Sequence, residues 1–463
     1  MELTRAWVAD VSGGQIVDPD GAAPADVPTG TGIAFDSRAL RPGEVFVAVQ
    51  AERDGHDFVA DAIGRGAPFA IVERPVAGAP LVVVPDVPNA LFALARAGRD
   101  RLDARVVGIT GSVGKTSTKD LTAAALAAGR RTHAAPASFN NEIGVPVTVL
   151  GAPTDTEVLV VEMGARFAGN IAALAALVDP EIGVITNIGI NHAEHLGGPE
   201  GVARVKGELL DALPAHGLAV LDAATAAGPE QRARSAAPVV TVGAGPDADV
   251  RIGPVTLDEG LRARFALETP WGSGTVTLAV RGAHQAVNAA LAATVALHVG
   301  VPFAAVVDAL AHAEASAWRM EVVEAPGGVT VINDAYNASP VATIAALDAL
   351  AAVPDATRRV AVLGEMRELG ALSAAEHERV GHAVARAGVD VLVVVGAATE
   401  PLAAAAAHDA GPVLAVHRVP DAAAARALVA GLVAPGDVVL VKASRAVGLE
   451  TVAAALSDAG AAA

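Results

Sequence analysis

A chain of 463 residues is longer than one ordinary domain, so the sequence predicts two to four domains. Its formal net charge of −18 leaves no basic surface to neutralise phosphates, which argues against non-specific nucleic-acid binding. The absence of cysteine excludes disulfides, thiolate metal sites and a cysteine nucleophile, and it is typical of cytoplasmic proteins.

The first stretch of the chain predicts a small α/β domain over residues 1–104. Its opening segment, MELTRAWVADVSGG, lacks the apolar run of a signal peptide. Short Val-rich runs follow at VFVAVQ, FAIVE and LVVVPDV, and Gly and Pro separate them. Runs of this length and composition favour β-strands.

Residues 105–314 predict a second domain with a mostly parallel sheet. RVVGIT has the pattern of a buried strand, and a Gly-rich turn and an Ala-rich helix follow it. Strand-like runs recur at EVLVVEMG, IGVITNIG, GLAVLDA and VTLAVRG, with helical segments between most of them. Residues 282–307 carry no formal charge, but a break at Gly300 to Pro302 predicts two helices there and not a membrane span.

The pattern restarts over residues 315–463. VTVIND, RRVAVLG, VDVLVVVG and DVVLVKAS are predicted strands, and Ala-rich helical segments separate them. This alternation predicts a Rossmann-like, doubly wound third domain, so the fold class is α/β with three domains.

A candidate phosphate-binding loop, GITGSVGKTST, opens the second domain at residues 108–118. A Gly-rich turn between a buried strand and a helix presents backbone N–H groups to an anion. Lys115 can reach terminal phosphates, and the Thr116 hydroxyl can hold Mg²⁺. The strict spacing of such loops is not met, because Ile109 stands where the first glycine belongs and the glycines fall three residues apart.

Candidate metal ligands stand at or after the ends of predicted parallel strands. EVLVVEMG reaches Glu162 near its end, and IGVITNIGINH places Asn187 after a strand with His192 five residues on. Taken singly, these residues would be read as solvated loop residues. Beside a phosphate loop they predict a carboxylate and an imidazole near a nucleotide's Mg²⁺.

Lysine is scarce in this chain. Of 33 basic residues, the four lysines are Lys115, Lys119, Lys206 and Lys442. A lysine kept where arginine is the rule indicates a role that a guanidinium cannot fill, and Lys206 in RVKGELL raises that question most sharply.

Together these stretches resemble the Mur ligase family, the ATP-dependent amide ligases that build the peptide of bacterial cell-wall precursors. DSRALRPGEVFVAV and DGHDF resemble the family's uridine-nucleotide domain, and GITGSVGKTSTK resembles its phosphate loop. TNIGINH, RVKGEL, HQAVNAALAA and WRME follow in the family's order over nearly the whole chain. FNNEIGVPVTVL, EMGARFAGNI, NDAYNASP and LGEMRELG most resemble the member that adds D-alanyl-D-alanine.

The resemblance implies a reaction and its partners. It implies that ATP drives amide-bond formation between D-alanyl-D-alanine and UDP-N-acetylmuramoyl-tripeptide, through an acyl phosphate, in cytoplasmic peptidoglycan precursor synthesis. The expected protein is a monomer with ATP as substrate and two Mg²⁺ ions, and it uses neither nucleic acid nor membrane. The alternatives are another amino-acid ligase of the family and a phosphate-loop ATPase without transfer to a carboxylate.

The resemblance also implies roles for individual residues. The catalytic set is Lys115, Lys206, His192 and Glu162, and the metal ligands are Thr116, Glu162, His192 and Lys206 once CO₂ has carbamylated its amine. A neutral amine is needed for that modification, so the pKa of Lys206 must be depressed. The implied ATP-binding residues are Thr110, Gly111, Ser112, Val113, Gly114, Lys115, Thr116, Ser117, Asn288, Arg319 and Asp334. The implied substrate-binding residues are Ser37, Arg38, Asn140, Asn141, Tyr336, Asn337, Lys442, Ser444 and Arg445.

Three positions depart from the family's pattern. Gln285 and Ser339 stand where the family usually has Asn, and Ala443 stands where it usually has Gly. Ser339 and Ala443 lie toward the expected dipeptide side, so the departures bear on substrate specificity and leave fold and ATP use unaffected. Lys119, one turn into the helix after the phosphate loop, is expected to be a surface residue.

Overall fold

The computed structural model describes residues 1–19, 29–51, 53–190, 193–224, 229–325 and 327–458. His192, a predicted metal ligand, lies outside these residues. The described helices are α1 Arg5–Ser12, α2 Val59–Gly64, α3 Val87–Arg99, α4 Lys115–Ala127, α5 Gly144–Gly151, α6 Asn170–Val178, α7 Ala193–Leu196, α8 Gly198–Asp211, α9 Pro229–Arg234, α10 Gln285–His298, α11 Phe303–His312, α12 Pro340–Ala351, α13 Ser373–Arg386, α14 Glu400–Ala410, α15 Ala422–Leu432 and α16 Glu450–Asp458.

The described strands are β1 Glu2–Leu3, β2 Gln15–Val17, β3 Gly30–Thr31, β4 Ile33–Ala34, β5 Val45–Val47, β6 Ala70–Val72, β7 Leu81–Val83, β8 Arg105–Thr110, β9 Thr132–Ala134, β10 Val158–Glu162, β11 Ile182–Ile185, β12 Leu218–Asp222, β13 Val239–Gly243, β14 Val250–Ile252, β15 Thr256–Leu257, β16 Arg262–Thr269, β17 Gly272–Arg281, β18 Glu321–Ala325, β19 Val329–Asn333, β20 Arg358–Gly364, β21 Val391–Val395, β22 Ala415–Val419 and β23 Asp437–Lys442.

The first sheet uses the short Val-rich runs near the start of the chain. Its described strands follow the order β2-β7-β6-β5-β4, with β2 antiparallel to β7 and the other neighbours parallel. Strands β5 and β6 are buried along their whole length, as parallel strands covered on both faces should be. Each of the three predicted runs in this part of the chain contains a strand, which confirms the α/β pattern.

The second sheet places the phosphate loop. Among the described residues its order is β15-β16-β14-β13-β12-β11-β8-β10-β9, with β17 also paired to β16. Neighbouring strands pair parallel from β9 across the sheet to β14. Within this part of the sheet, β8 lies between β10 and β11. The register pairs Glu162 with Ile109 and Ile185 with Thr110, so the carboxyl ends of three neighbouring strands meet at one edge.

The far edge of the second sheet is antiparallel. Strands β14, β15 and β17 all pair antiparallel with β16. Side chains along β16 alternate between exposed and buried, because only one face of this edge is covered by the core. The sheet is therefore mostly parallel, as predicted, with a hairpin added to it.

The third sheet follows the order β18-β19-β23-β20-β21-β22, and its described strands are parallel except β18. Apolar side chains of α12, α13 and α14 pack on one face and those of α15 and α16 on the other. Helices on both faces confirm the doubly wound arrangement. β23 lies between β19 and β20, which brings the ends of β19 and β23 together.

The uncharged stretch at 282–307 forms two helices, as predicted. Helix α10 is buried against α4, and the chain turns at Gly300, whose φ of +89° favours glycine, before α11 begins at Phe303. Across the ranges given above, no helix has the length and apolar character needed to cross a membrane.

Candidate active site

The phosphate loop joins the end of β8 to the start of α4, and its glycines are required by close contacts. Gly111 has a φ of +148°, and a Cβ there would lie 2.0 Å from the Thr186 Oγ1 atom. Gly114 has a φ of +83°, and a Cβ there would lie 2.7 Å from the Asn288 Oδ1 atom. Both positions exclude a side chain, so the unusual glycine spacing follows from the neighbouring strand and helix.

The end of β11 holds the loop from one side. The Asn187 side chain accepts a hydrogen bond from the Val113 N–H and donates one to the Val113 carbonyl, both at 2.9 Å. The Asn187 carbonyl accepts from the Ser112 N–H at 3.0 Å. Because these two loop N–H groups are engaged, an anion would meet mainly the N–H groups of the first turn of α4 and its positive end.

Lys115 folds back over the loop. Its ammonium donates to the Gly111 carbonyl at 2.8 Å and more weakly to the Ser112 carbonyl at 3.4 Å. Burial lowers the pKa of Lys115, and the Arg319 charge lowers it further, while Glu162 opposes both effects. The ammonium therefore lies where an incoming polyphosphate could displace the two carbonyls and take their place.

A continuous chain of hydrogen bonds links the segment before β18 to the end of β10. Arg319 donates to the Thr116 hydroxyl at 2.8 Å, Thr116 donates to Ser138 at 3.1 Å, and Ser138 donates to Glu162 at 2.8 Å. The Asn140 amide also donates to the same Glu162 oxygen at 2.7 Å. The second Glu162 oxygen is buried and has no hydrogen-bond partner in the described structure.

Lys206 lies in α8, close enough to Glu162 for that charge to affect its pKa, and its side chain is fully buried. Its Nζ atom has no hydrogen-bond partner within the described ranges. Burial lowers the pKa of Lys206 to about 7, and the nearby Lys115 charge contributes, while Glu208 and Glu162 oppose the shift. The amine is therefore neutral in a large fraction of molecules near neutral pH, which is the form that reacts with CO₂.

The next residue, Gly207, explains how α8 is packed at this point. A Cβ at Gly207 would lie 2.1 Å from the Arg234 Nη1 atom, and Arg234 donates to the Arg204 carbonyl of α8 at 2.7 Å. Lys206 therefore supplies a buried amine, and the missing side chain of Gly207 lets α9 approach α8 closely.

The third sheet contributes a cluster of charged and aromatic side chains. Lys442, at the end of β23, forms an ion pair with Asp334 and donates to the Asn337 carbonyl at 2.9 Å. The Arg319 guanidinium lies 4.2 Å from the centre of the Tyr336 ring. The Arg445 guanidinium lies 4.4 Å from the Trp318 ring centre. These stacked cations sit where the second and third sheets meet.

The first sheet approaches the same region through an aromatic contact. The ring of Phe35, at the end of β4, lies 5.3 Å from the ring of Phe139, which directly precedes Asn140. Ser37 is buried, and its hydroxyl lowers the pKa of Asp61 by hydrogen bonding. Arg38 is exposed and pairs with Asp36 at 2.7 Å. The predicted uridine-nucleotide residues thus follow directly after a contact with the central site.

Comparison with known proteins decides the family. The family model for the Mur ligase middle domain matches residues 109–296, and that for the Mur ligase glutamate ligase domain matches residues 318–445. UDP-N-acetylmuramoyl-tripeptide–D-alanyl-D-alanine ligase of Mycobacterium tuberculosis is 44% identical, and the alignment covers 98% of each chain. The chain belongs to the Mur ligase family.

Solved structures agree with this assignment. A crystal structure of MurF from Acinetobacter baumannii is 29% identical, covers 99% of each chain and gives a TM-score of 0.81. MurF ligase from Thermotoga maritima in complex with ADP is also 29% identical, with a TM-score of 0.75, covering 92% of this chain and 97% of that one. The α/β fold is therefore the three-domain architecture of the Mur ligases.

The side chains of this Mur ligase fit a hard divalent cation. The unpartnered Glu162 oxygen and the Thr116 hydroxyl are oxygen donors of the kind that Mg²⁺ prefers. The unpartnered Lys206 amine would become an oxygen donor as a carbamate. Among the described residues, no three His, Asp or Glu side chains form a metal-binding group by themselves.

Several predicted residues also have a structural role. Asn141 accepts from the Gly144 N–H at 2.8 Å at the start of α5. Ser444 accepts from the Arg367 N–H at 2.9 Å. Asn288 accepts from the Thr118 hydroxyl at 3.3 Å and donates to Gln285 at 2.8 Å, so Gln285 supplies a hydrogen-bond acceptor at this position. Two other predicted residues are Thr110, whose hydroxyl donates to the Met163 carbonyl, and Ser117, which is buried in α4.

The two remaining departures from the family pattern have local explanations. Ser339 caps α12, since its hydroxyl accepts from the Ala342 N–H at 3.4 Å. Ala443 is fully buried against Gly364, where an added Cβ would lie 2.6 Å from the Ala443 Cβ.

The prediction for Lys119 is wrong, and two residues of the site were not predicted. Lys119 is 1% exposed, because the segment leading to Ser138 covers the first turn of α4 and its carbonyls accept from the Lys119 ammonium. Ser138 links Thr116 to Glu162, and its signal in the sequence is its place two residues before Asn140. Trp318, one of three tryptophans, stacks on Arg445, and its only signal in the sequence is its place next to Arg319.

Proposed function

We propose that this protein is an ATP-dependent amide ligase that joins D-alanyl-D-alanine to the tripeptide of UDP-N-acetylmuramoyl-tripeptide. The observation that carries the proposal is the hydrogen-bond chain from Arg319 through Thr116 and Ser138 to Glu162. These hydrogen bonds join the phosphate loop, the Glu162 carboxylate and the Arg319 cation of the third domain. The names of the relatives supply the two substrates.

The chemistry that this arrangement supports has two steps. An oxygen of the tripeptide's terminal carboxylate attacks the γ-phosphorus of ATP, the bond to the bridging oxygen breaks, and ADP leaves. The amine of the dipeptide then attacks the acyl phosphate carbon, loses a proton, and phosphate departs. Phosphorylation is needed because a carboxylate is a poor electrophile. Lys115, Arg319 and the start of α4 are placed to bind and neutralise the transferred phosphoryl group.

The metal and nucleotide roles belong to the same proposal. Thr116, Glu162, His192 and carbamylated Lys206 would hold Mg²⁺, which supplies charge neutralisation for the phosphates when bound. Asn288 would face the adenine, and Asp334 would contact the nucleotide. The lowered pKa and the unpartnered amine of Lys206 support the carbamate.

The two other substrates are assigned to the outer domains. Ser37 and Arg38 would contact the uridine nucleotide in a domain spanning residues 1–104, and residues 105–314 would bind ATP. Residues 315–463 would bind the dipeptide, with Lys442, Ser444 and Arg445 near its anionic end. We assign the protein to the cytoplasm, because its proposed substrates are ATP and a nucleotide-linked precursor, and we take a monomer as its default state.

The test is phosphate release from ATP and Mg²⁺ with UDP-N-acetylmuramoyl-tripeptide and D-alanyl-D-alanine, added singly and together. The proposal expects release only when both are present, together with a product heavier by the dipeptide less water. Release with the tripeptide and a different amine would assign another ligase of the family. Release with neither substrate would assign an ATPase.

A further inference from the structure

A buried ion pair in the first turns of α4 is not used by the proposed chemistry. Lys119 and Asp120 lie 2.7 Å apart, and their side chains are 1% and 14% exposed. A charge pair this well buried is costly to desolvate, and it persists where further hydrogen bonds satisfy both ions. Each ion of this pair has a second set of partners, and the two sets lie on different parts of the site.

Lys119 binds the segment that carries the residues around Glu162. Its ammonium donates to the carbonyls of Ala135 and Ala137, the latter at 3.3 Å. Ser138 and Asn140 follow immediately, and both donate to the same oxygen of Glu162. Lys119 thus fixes the backbone from which these two donors extend.

Asp120 binds the connector between the second and third sheets. One oxygen of its carboxylate accepts from both the N–H of Ser316, at 3.0 Å, and its hydroxyl, at 2.7 Å. Ser316 lies between the end of α11 at His312 and the start of β18 at Glu321. The two hydrogen bonds to one oxygen fix both the backbone and the side chain of Ser316.

The connector delivers Arg319 to the phosphate loop three residues later. Trp318 and Met320, on either side of Arg319, have φ values of +60° and +51°, a conformation that bulky side chains rarely adopt. The Met320 N–H donates to Asp334 at 3.1 Å, and the Trp318 carbonyl accepts from the Tyr336 N–H at 3.3 Å. The strained turn is therefore held at its third-sheet end by these bonds and at its second-sheet end by Asp120.

We propose that Asp120 and Ser316 form a clamp that positions Arg319 over Thr116, with Lys119 tying the same clamp to the Glu162 side of the site. Asp120 and Ser316 are positioning residues, since they act through Arg319. Through the clamp, the helix that follows the phosphate loop sets where the third domain's arginine lies. The kinetic part of this inference rests on the proposed ligase activity, and the geometric part does not.

Hydrogen–deuterium exchange tests the clamp without any substrate. In the wild-type chain the Ser316 amide should be protected, because it donates to Asp120. In Asp120→Ala that amide should exchange at least about ten-fold faster, while the amide of Val306, within α11, stays unchanged. Equal exchange of the Ser316 amide in the two proteins would overturn the clamp.

Steady-state kinetics test what the clamp does. Ser316→Ala removes the hydroxyl donor and should lower kcat about ten-fold, while KM for the UDP-linked tripeptide changes less than about two-fold. Ser316→Thr keeps the hydroxyl and should restore kcat to within about two-fold of wild type. Ser457→Ala is the matched control, since its hydroxyl donates to Ala453 within α16.

Two results would contradict the kinetic role: an unchanged kcat in Ser316→Ala, or an equal loss in Ser316→Ala and Ser316→Thr. Asp120→Ala leaves Lys119 buried without its carboxylate and can impair folding, so Ser316→Ala carries the kinetic decision. If the wild-type enzyme fails to ligate at all, the proposed function fails, and amide exchange alone decides the clamp.

Discussion

Lys206 shows how one residue can be found from composition and explained by burial. The chain uses lysine four times, and this lysine is fully buried, its amine has no hydrogen-bond partner among the described residues, and the Lys115, Glu208 and Glu162 charges act on it. A guanidinium could neither lose its proton there nor form a carbamate. Scarcity identified the position, but only the burial of the side chain in the packed structure shows why the pKa of its amine is lowered.

The depressed pKa of Lys206 predicts a stability that depends on pH. Between about pH 7 and 10.5 the unfolded chain binds a proton that the native amine releases, so this group makes the free energy of unfolding rise with pH. Lys206→Met removes the effect. The stability of the variant relative to wild type should be greatest below pH 7 and should decline toward pH 10, by about 1.4 kcal/mol per pH unit at most.

Urea denaturation at several pH values in CO₂-free buffer measures this difference. Val205→Ala, a change at the buried neighbour of Lys206, is the control, because its cost should not depend on pH. A constant difference between Lys206→Met and wild type across this range would show that the amine is not held neutral.

Chemical rescue tests the carbamate itself. Lys206→Ala leaves a buried space where the carbamate would have been, and it should lower kcat strongly. Short carboxylic acids such as acetate or propionate can fill that space with an oxygen anion, and they should restore part of the activity. The measurement is kcat against acid concentration, with Lys115→Ala as the control that these acids should not rescue. Failure to rescue Lys206→Ala would count against a carbamate.

At the scale of elements, signals within a short stretch of sequence predict the structure correctly, whereas contacts between residues far apart in the chain are not predicted. The phosphate loop is a strand, a turn and a helix in unbroken sequence, so spacing alone placed Lys115 and Thr116. Ser138 and Ser316 contact residues of α4 that are 22 and 196 positions away in the chain. No periodicity reports such contacts, because they depend on how separate elements pack. Lys119 was misplaced for the same reason, since the segment that buries it begins after β9.

The glycines of the loop give a prediction at this scale. In Gly111→Ala the new Cβ would lie 2.0 Å from the Thr186 Oγ1 atom and 3.1 Å from the Thr186 backbone nitrogen, so the segment that follows β11 must move. Because β11 and the loop are held together by Asn187, the shift should displace the start of α4. We expect ADP affinity to fall at least about 100-fold and stability to fall by about 1–3 kcal/mol.

Gly78→Ala is the control that separates the cost of backbone strain from the cost of the close contact at Gly111. Gly78 has a φ of +79°, and an added Cβ there meets no atom of the described residues within 4 Å, so only the backbone strain of about 1 kcal/mol remains. ADP titration and urea unfolding of both variants distinguish the two effects. Wild-type ADP affinity in Gly111→Ala would mean that the loop tolerates a side chain.

At the scale of the molecule, the site exists only where the three sheets meet. The phosphate loop and Glu162 belong to the second sheet, Phe35 approaches from the first, and Arg319 and Tyr336 come from the third. Sequence motifs predicted three domains and most of these residues by family resemblance. They could not show that Arg319 bonds Thr116, since that contact requires the third domain to lie against the second.

Arg319 therefore tests whether this arrangement is the working one. Its guanidinium donates to Thr116 at 2.8 Å while stacking 4.2 Å from the centre of the Tyr336 ring, so both its charge and its planar shape are used. Arg319→Ala should lower kcat at least about 100-fold, since one charged donor to the transferred phosphoryl group is lost. Arg319→Lys keeps the charge but not the planar guanidinium, and it should recover less than about a tenth of the activity.

Arg418→Ala, which breaks an exposed pair with Glu400, is the control and should turn over like wild type. Turnover of Arg319→Ala within ten-fold of wild type would contradict this arrangement. It would mean that the third domain binds only the dipeptide and that the second domain alone binds the phosphoryl group.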